Sequence, residues 1–310
     1  MEMKKLCANL PDAPDVSIVG LGCNNFGMRI DEDQTRAVVH KALDVGINFF
    51  DTAEMYGGGG VSEEYLGRAL GPRRKDIILG TKFGYGVDGS KENVVKSVEG
   101  SLKRLGTDVI DLYTLHKPDP ETPIEETLEA MDALVKAGKV RYIGCSNFSG
   151  EQLDEAIAVS SANDLAPFVA VQNRLSLLRR EAEDDIVPAS GRLGVGFVPF
   201  FPLESGMLTG KYARGAVPDD AHRMTHMARM AEQALTDANY DIVERLQAFA
   251  TAKGRTILEL AMSWLAMKPE VISIIAGATK PEQVEANATA AAWKMSADEI
   301  GEIDRLTART

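Results

Sequence analysis

The stretch INFFDTAEMYGGGGVSEEYLGRAL, residues 47–70, places two structural periods side by side. INFF (47–50) is a short apolar run with the character of a buried strand. VSEEYLGRAL (61–70) has helical spacing, with Ser62 as its expected cap and Val61 and Leu66 at the two ends of a hydrophobic staple. Between them Asp51 closes the apolar run, Tyr56 follows five residues later, and four glycines complete the connection. Strand, loop and helix make one βα unit.

The same alternation runs along the chain in both directions. VSIVGLG (16–22) precedes a helix over 31–46 with Asp31 as N-cap, Gln34 three residues on and Gly46 as its stop. DIILGTKF (76–83) precedes a helix over 90–106, and VIDLYTLH (109–116) one over 122–138. The latter takes Thr122 as cap, Pro123 in its first turn and Glu125 as partner of a capping box. VRYIGCS (140–146) leads to a helix boxed by Ser149 and Gln152, and FVAVQN (168–173) to a weaker one near 181–190. GVGFVPFFPL (194–203) is followed by a long irregular stretch, then helical material at 237–267. VISIIAG (271–277) precedes a helix opening at Pro281, and Ser296 with Glu299 caps one more at the end.

Eight apolar runs, each followed by helix, read as parallel strands buried on both faces. The expected fold is a (β/α)₈ TIM barrel, α/β in class, with a long loop after the seventh strand and an extra C-terminal helix. A doubly wound sheet is the alternative, but no GxGxxG follows the first strand. No linker or composition break divides residues 1–310, so one domain is expected.

The chain has 310 residues, 45% hydrophobic and 26% charged, with a formal net charge of −12. That charge and the absence of a dense basic run make nucleic acid and anionic membrane poor partners. The three cysteines, Cys7, Cys23 and Cys145, lack metal or disulfide spacing, which suits a reducing compartment. With no signal-like or membrane-length apolar stretch, a cytoplasmic location is expected. His222 and His226 have the spacing of a helical metal pair, but no third ligand accompanies them, and no metal is expected. GGGG (57–60) lacks the Lys-Ser/Thr tail of a P-loop and reads as flexibility beside Tyr56.

In a barrel of this type the chemistry sits at the C-terminal strand ends and the loops after them. There the sequence puts Asp51 with Tyr56, Lys82 and His116, on three adjacent units. A phenol near pH 7 holds its proton; a neighbouring ammonium makes it a better acid, and a carboxylate neutralises the ammonium. A neutral histidine next to them can orient a substrate oxygen. The set suits protonation of an alkoxide forming at a carbonyl carbon. A Schiff-base aldolase using Lys82 is a second reading, disfavoured because Asp51 would keep the amine charged.

DTAEMYGGGGVSEEYLGRAL, TKFG, DLYTLHKPD, GKVRYIGCSNFS and GATKPEQVEANA, in order over nearly the whole length, resemble the aldo-keto reductases. The resemblance implies NADP(H), with NAD(H) as the alternative, bound across the C-terminal face of the barrel, and a small aldehyde or ketone as substrate. It implies Tyr56 as proton donor, Lys82 and Asp51 lowering its pKa, and His116 orienting the carbonyl. Ser146, Asn147 and Gln172 would hold the nicotinamide carboxamide, and Phe200 would stack on its ring. Here FFPL stands where the family has a YSPL-like stretch, so Phe201 replaces a small residue.

By the same resemblance the cofactor would also meet Gly22, Cys23, Asn24 and Asp51. The pyrophosphate would lie under Pro202–Lys211, including Leu203, Gly206, Leu208 and Lys211. Gly277, Thr279 and Lys280 would hold a phosphate at an uncapped helix start, with Gln283 and Asn287 reaching the adenosine. Gln283 replaces the arginine of the most NADP-selective members, and Ala286 their usual glutamate. Residues 204–238, with Met224, Met227 and Met230, would fold over the cofactor and help set substrate size. Asn24–Met28, Met55 and Phe83–Val87 would wall the pocket. The auxiliary β-subunits of potassium channels share the implied fold and cofactor, so a slow redox-sensing role is the other reading. Oligomeric state is not readable.

Overall fold

The computed structural model describes residues 1–10, 12–86, 88–212, 214, 232 and 234–308. Two short strands come first, β1 (Met3–Lys5) and β2 (Asp15–Ser17), paired antiparallel with Met3 opposite Ser17. Eight parallel strands follow: β3 (Val19–Gly22), β4 (Phe49–Asp51), β5 (Ile78–Phe83), β6 (Ile110–Leu115), β7 (Val140–Ser146), β8 (Phe168–Arg174), β9 (Gly196–Phe200) and β10 (Ile274–Gly277). Their order is β10-β3-β4-β5-β6-β7-β8-β9. The ring is completed just before β10, where Phe197 N donates to Glu270 O at 2.8 Å and Ile272 N to Phe197 O at 3.0 Å. Eight parallel strands surrounded by helices form the expected (β/α)₈ barrel.

The run at 16–22 is not one strand. It breaks at Ile18, and its first half pairs with the N-terminal segment, which no periodicity in MEMKK signals. This hairpin closes the bottom of the barrel. Leu6, Ala13 and Val16 pack with Phe49, Leu112, Val198 and Ile275, which point inward from the strands. A separate, larger apolar cluster fills the layer between strands and helices. Gly20 lets the wall close, since a Cβ there would lie 2.9 Å from Ser273 Oγ and 3.0 Å from the Phe49 ring.

Several caps fall where the residue types put them. Asp31 with Gln34 opens α1 (Glu32–Asp44), and Ser149 with Gln152 opens the helix Gly150–Ala162. Ser296 with Glu299 opens the last helix, Ala297–Thr307. Elsewhere the structure departs from expectation. The helix Ile124–Lys136 starts at Pro123 with no side-chain cap, because the Thr122 hydroxyl goes to Asp119 instead. The material at 237–267 is two helices, Asp237–Ala252 and Ile257–Ala266, separated at Gly254 (φ 68°). Thr256 and Glu259 form the capping box of the second.

The bottom plug generates a stability prediction. Leu6 is fully buried while Met3, three residues earlier, is 44% exposed. Leu6→Ala should cost about 2–5 kcal/mol in urea unfolding, and Met3→Ala within about 0.5 kcal/mol. Equal effects would show that the hairpin does not close the barrel.

Candidate active site

Asp51 ends β4, Lys82 lies in β5, and His116 directly follows β6, so three adjacent parallel strands deliver three polar groups to one mouth. All three are buried. Lys82 Nζ donates to Asp51 Oδ2 at 2.5 Å and to the Thr52 carbonyl at 2.8 Å. Its remaining direction goes to the Tyr56 hydroxyl, with the ammonium 5.1 Å from the tyrosine ring centroid. Asp51 Oδ1 accepts from Gln172 Nε2 at 2.9 Å. Gln172, Asp51, Lys82 and Tyr56 thus form one continuous chain of hydrogen bonds.

The charges follow from this wiring. Burial opposes the charged form of Lys82, but Asp51 and then Tyr56 more than offset it, so its pKa lies above the ordinary lysine value. Burial pushes the Tyr56 phenol above its usual value; Lys82 pulls it down, and Asp51 pushes it up again. Lys82 therefore acts in the expected direction, whereas the direct effect of Asp51 on the phenol is opposite to the expected one; its help comes through the lysine that it keeps charged. Tyr56 is partly exposed as a residue, yet its hydroxyl end sits among packed groups, which is why burial dominates. His116 is pushed down to about 3 by burial, with Lys82 and Lys117 adding to the effect, so its ring is neutral at pH 7. Its Nδ1 is buried without a partner among the described residues. The ring stands edge-on to Tyr56 at 5.9 Å.

Tyr56 arrives by an unusual route. Gly57, Gly58, Gly59 and Gly60 all have positive φ, between 74° and 99°. A left-handed run of this kind is open to glycine and costs other residues roughly 1–2 kcal/mol each. The glycines thus shape a fixed turn as well as removing side chains. Gly57 also meets its neighbours closely, as a Cβ there would lie 2.8 Å from Phe26 O and 2.9 Å from Ser62 N; Gly58 faces open space. Ser62 is not a cap. The helix Val61–Leu70 starts at Gly60, and the buried Ser62 hydroxyl donates to Cys23 O at 2.8 Å and meets Thr52 Oγ1 at 2.9 Å. Glu63, fully buried, accepts from Thr81 Oγ1 at 2.5 Å and Arg104 Nε at 2.6 Å. These two side chains tie the Tyr56 turn to the strand ends, and VSEE alone gave no sign of them.

Residues expected to meet a cofactor fall into three groups. At β7 and β8, the Ser146 hydroxyl donates to Gln172 O at 2.9 Å, and Asn147 Nδ2 donates to Ser146 Oγ and His116 O. These side chains knit the strand ends together, and Gln172 Oε1 is, with Asn173 Oδ1 on the same strand, a buried acceptor without a partner among the described residues. Such an atom accepts an N–H or O–H from a bound group. Beyond β9, Phe200 meets Phe201 edge-on at 5.5 Å, and Phe201, Glu204 and Ser205 have positive φ. The buried Glu204 carboxylate holds this strained turn by accepting from Arg174 Nε at 3.1 Å and Ser176 Oγ at 2.8 Å. Pro202 and Leu203 lead into the turn. Gly206 packs against Lys211, and Leu208 turns its side chain into the core, leaving only its backbone for a ligand.

The third group joins β3 to β10. Gly22 pairs with Gly277, Cys23 is buried, and the Asn24 and Asn25 amides lie against Gly277. Asn25 Nδ2 donates to Ala278 O at 3.3 Å and its Oδ1 is buried without a partner among the described residues. The helix Pro281–Ala290 opens at Lys280 with no side-chain cap, as its sequence implied. Gln283 folds back so that its Oε1 accepts from Thr279 N at 2.8 Å, and Asn287 is buried on the same helix. Residues 215–231, with His222, His226 and Met224, Met227 and Met230, lie outside the described residues, as does Val87; the lid expectation falls there. No helix among the described residues is long and apolar enough to cross a membrane.

The chain is similar in sequence to known proteins. The family model described as Aldo/keto reductase family matches residues 18–308. A probable voltage-gated potassium channel subunit beta from Oryza sativa subsp. japonica is 36% identical, covering 84% of this chain and 83% of its own. Probable aldo-keto reductase 1 from Glycine max is 36% identical over 93% of this chain and 85% of its own. L-glyceraldehyde 3-phosphate reductase from Escherichia coli (strain K12) is 33% identical over 91% and 86%.

Two predictions follow from the geometry. Gly57→Ala should cost more stability than Gly58→Ala, about 1–2 kcal/mol for handedness alone at either site plus the clash at Gly57. Urea titration of the two variants measures the difference, and indistinguishable values would refute the packing argument. For His116, the folded ring resists protonation down to about 3 whereas the free ring accepts a proton near 6.5. The unfolded chain binds the extra proton in that window, so this contribution to stability is complete above pH 6.5 and is lost as pH falls toward 3. His116→Asn should flatten the acid limb of the stability curve there, and an unchanged slope would show that His116 is not buried neutral.

Proposed function

The chain belongs to the aldo/keto reductase family, and we propose that it is an NADP(H)-dependent oxidoreductase that interconverts aldehydes or ketones with alcohols, residues 1–310 acting as one domain. The observation that carries this reading is the buried chain of hydrogen bonds from Gln172 through Asp51 and Lys82 to Tyr56. A reduced nicotinamide bound across the mouth would supply the hydride to the carbonyl carbon. As the C=O π pair moves onto oxygen, the Tyr56 O–H bond breaks and its proton passes to that oxygen, giving the alcohol. Lys82 stabilises the phenolate left behind, and Asp51 keeps Lys82 charged. His116, neutral at pH 7, offers the carbonyl oxygen a ring N–H without competing as a stronger acid.

The same buried set disfavours amine chemistry, since a lysine paired at 2.5 Å with a carboxylate is a poor nucleophile. Gln172 Oε1 fits the carboxamide NH₂ of the nicotinamide, beside Ser146 and Asn147, with Phe200 for its ring. Pro202, Leu203, Gly206 and Lys211 would cover the pyrophosphate, along with the strand end at Gly22, Cys23 and Asn24. Lys280 and the uncapped N–H groups behind it favour NADP(H) over NAD(H), because they meet the extra phosphate. Gln283, already bonded to Thr279, and Asn287 are the groups for the adenosine. The relatives named as potassium channel β-subunits support a second reading, a redox-sensing subunit with slow turnover. Brisk steady-state turnover of simple aldehydes would decide against it.

Tyr56→Phe should leave NADPH binding within about twofold of the parent and lower aldehyde reduction by about 10²–10⁴-fold. Lys82→Met should also abolish reduction and, by stranding Asp51, cost on the order of 3–5 kcal/mol of stability. Nicotinamide absorbance with a panel of carbonyls, alongside cofactor fluorescence titration, reads both; full activity in Tyr56→Phe would end the assignment of Tyr56 as proton donor, and a parent enzyme that oxidises NADPH with none of the carbonyls would end the oxidoreductase reading.

A further inference from the structure

One cation beside the buried tetrad takes no part in the proton transfer. Lys117 directly follows His116 and is exposed. Its ammonium lies over the Tyr85 ring, 4.1 Å from the centroid, and that ring lies 5.1 Å from the His116 ring. The tyrosine face pins an otherwise mobile lysine stem next to the histidine that meets the carbonyl oxygen.

The charge on Lys117 has no protein counter-ion among the described residues. Two acids of the loops that carry Lys117 and Tyr85 are turned to other work. Asp119 accepts from Gly89 N at 2.8 Å and Glu121 N at 3.0 Å, and Asp88 from Ser90 N at 3.0 Å and Asn93 Nδ2 at 2.6 Å. The other cations at neighbouring strand ends are matched, Lys82 by Asp51 and Arg174 by Glu204. Of the six exposed large hydrophobic side chains among the described residues, Met28, Met55 and Tyr85 stand in the loops after β3, β4 and β5. With a net charge of −12 the molecule as a whole repels anions, so an anionic substrate needs a local cation of this kind.

We propose that Lys117, held on the Tyr85 ring beside His116, is a specificity-determining residue that takes an anionic group, carboxylate or phosphate, on the carbonyl substrate. This assignment rests on the oxidoreductase reading above. The carbonyl end of the substrate reaches Tyr56 and His116, and its charged end turns outward to the ammonium. Neutral carbonyls react without using Lys117.

Matched pairs of compounds test it with the whole chain and saturating NADPH: para-formylbenzoate against its methyl ester, and glyceraldehyde 3-phosphate against glyceraldehyde. Lys117→Met should raise KM for the charged member about five- to twentyfold and leave its neutral partner within about twofold, with Lys117→Arg close to the parent. A rise in one pair only identifies which anion the site takes. Equal changes in both members, no change in either, or a parent enzyme that reduces only the neutral compounds would overturn the assignment while leaving the oxidoreductase reading intact. A parent enzyme that reduces none of the compounds defeats that reading, and the assignment with it.

Discussion

The buried ion pair of Lys82 with Asp51 is the constraint around which the upper half of the barrel is arranged. An ammonium with 2% exposure cannot remain charged without a partner, and a carboxylate with 4% exposure cannot either. The pair is satisfied only because parallel register puts Asp51 beside Gly80 and turns the Lys82 side chain toward the same mouth. Gln172 holds the far carboxylate oxygen and the Thr52 carbonyl takes a second ammonium proton. What remains of the ammonium's hydrogen-bonding capacity is directed at Tyr56. Replacing such a pair with apolar groups is often neutral for stability, so its presence at a strand end points to chemistry rather than to folding.

The phenol pays for its position in acidity. Burial raises its pKa, and Lys82 recovers only part of that. A tyrosine in this balance keeps its proton at neutral pH, and in the proposed reaction would release it as negative charge builds on the substrate oxygen. The turn that carries it has four left-handed glycines, and its tethers, Ser62 and Glu63, are buried polar residues of the following helix. Rigidity of the loop and accessibility of the ring are therefore supplied by different residues.

On the opposite side of the mouth, polar groups divide between those that hold the barrel and those left for a ligand. Ser146 and Asn147 serve mainly the first purpose, through bonds to Gln172 and His116. Gln172 Oε1 and Asn25 Oδ1, like Asn173 Oδ1 and His116 Nδ1, are buried with nothing in the described protein to satisfy them. The turn after β9 holds three non-glycine residues at positive φ, fixed by Glu204 on Arg174 and Ser176. Strain of that kind persists only where surrounding bonds over-determine it, which is a common property of ligand-binding turns.

Sequence alone determined the alternation of strand and helix, the parallel barrel, several capping boxes and the acid, tyrosine, lysine and histidine of the mouth. Those features are local: they depend on period, on residue type at a helix end, or on position at the end of an apolar run. What stayed hidden depends on partners distant in the chain. The N-terminal hairpin needs Ser17 opposite Met3, and Ser62 changes from expected cap to tether because Cys23 O comes within 2.8 Å of it. Glu63 and Glu204 likewise looked like ordinary polar residues until folding placed them against Arg104 and Arg174, and Asn25, expected as pocket wall, was not foreseen to donate to Ala278 O. Only the tertiary structure decided the pKa order of the site as well, since burial, the largest influence on Tyr56 and His116, is a property of the surrounding fold and not of the residue.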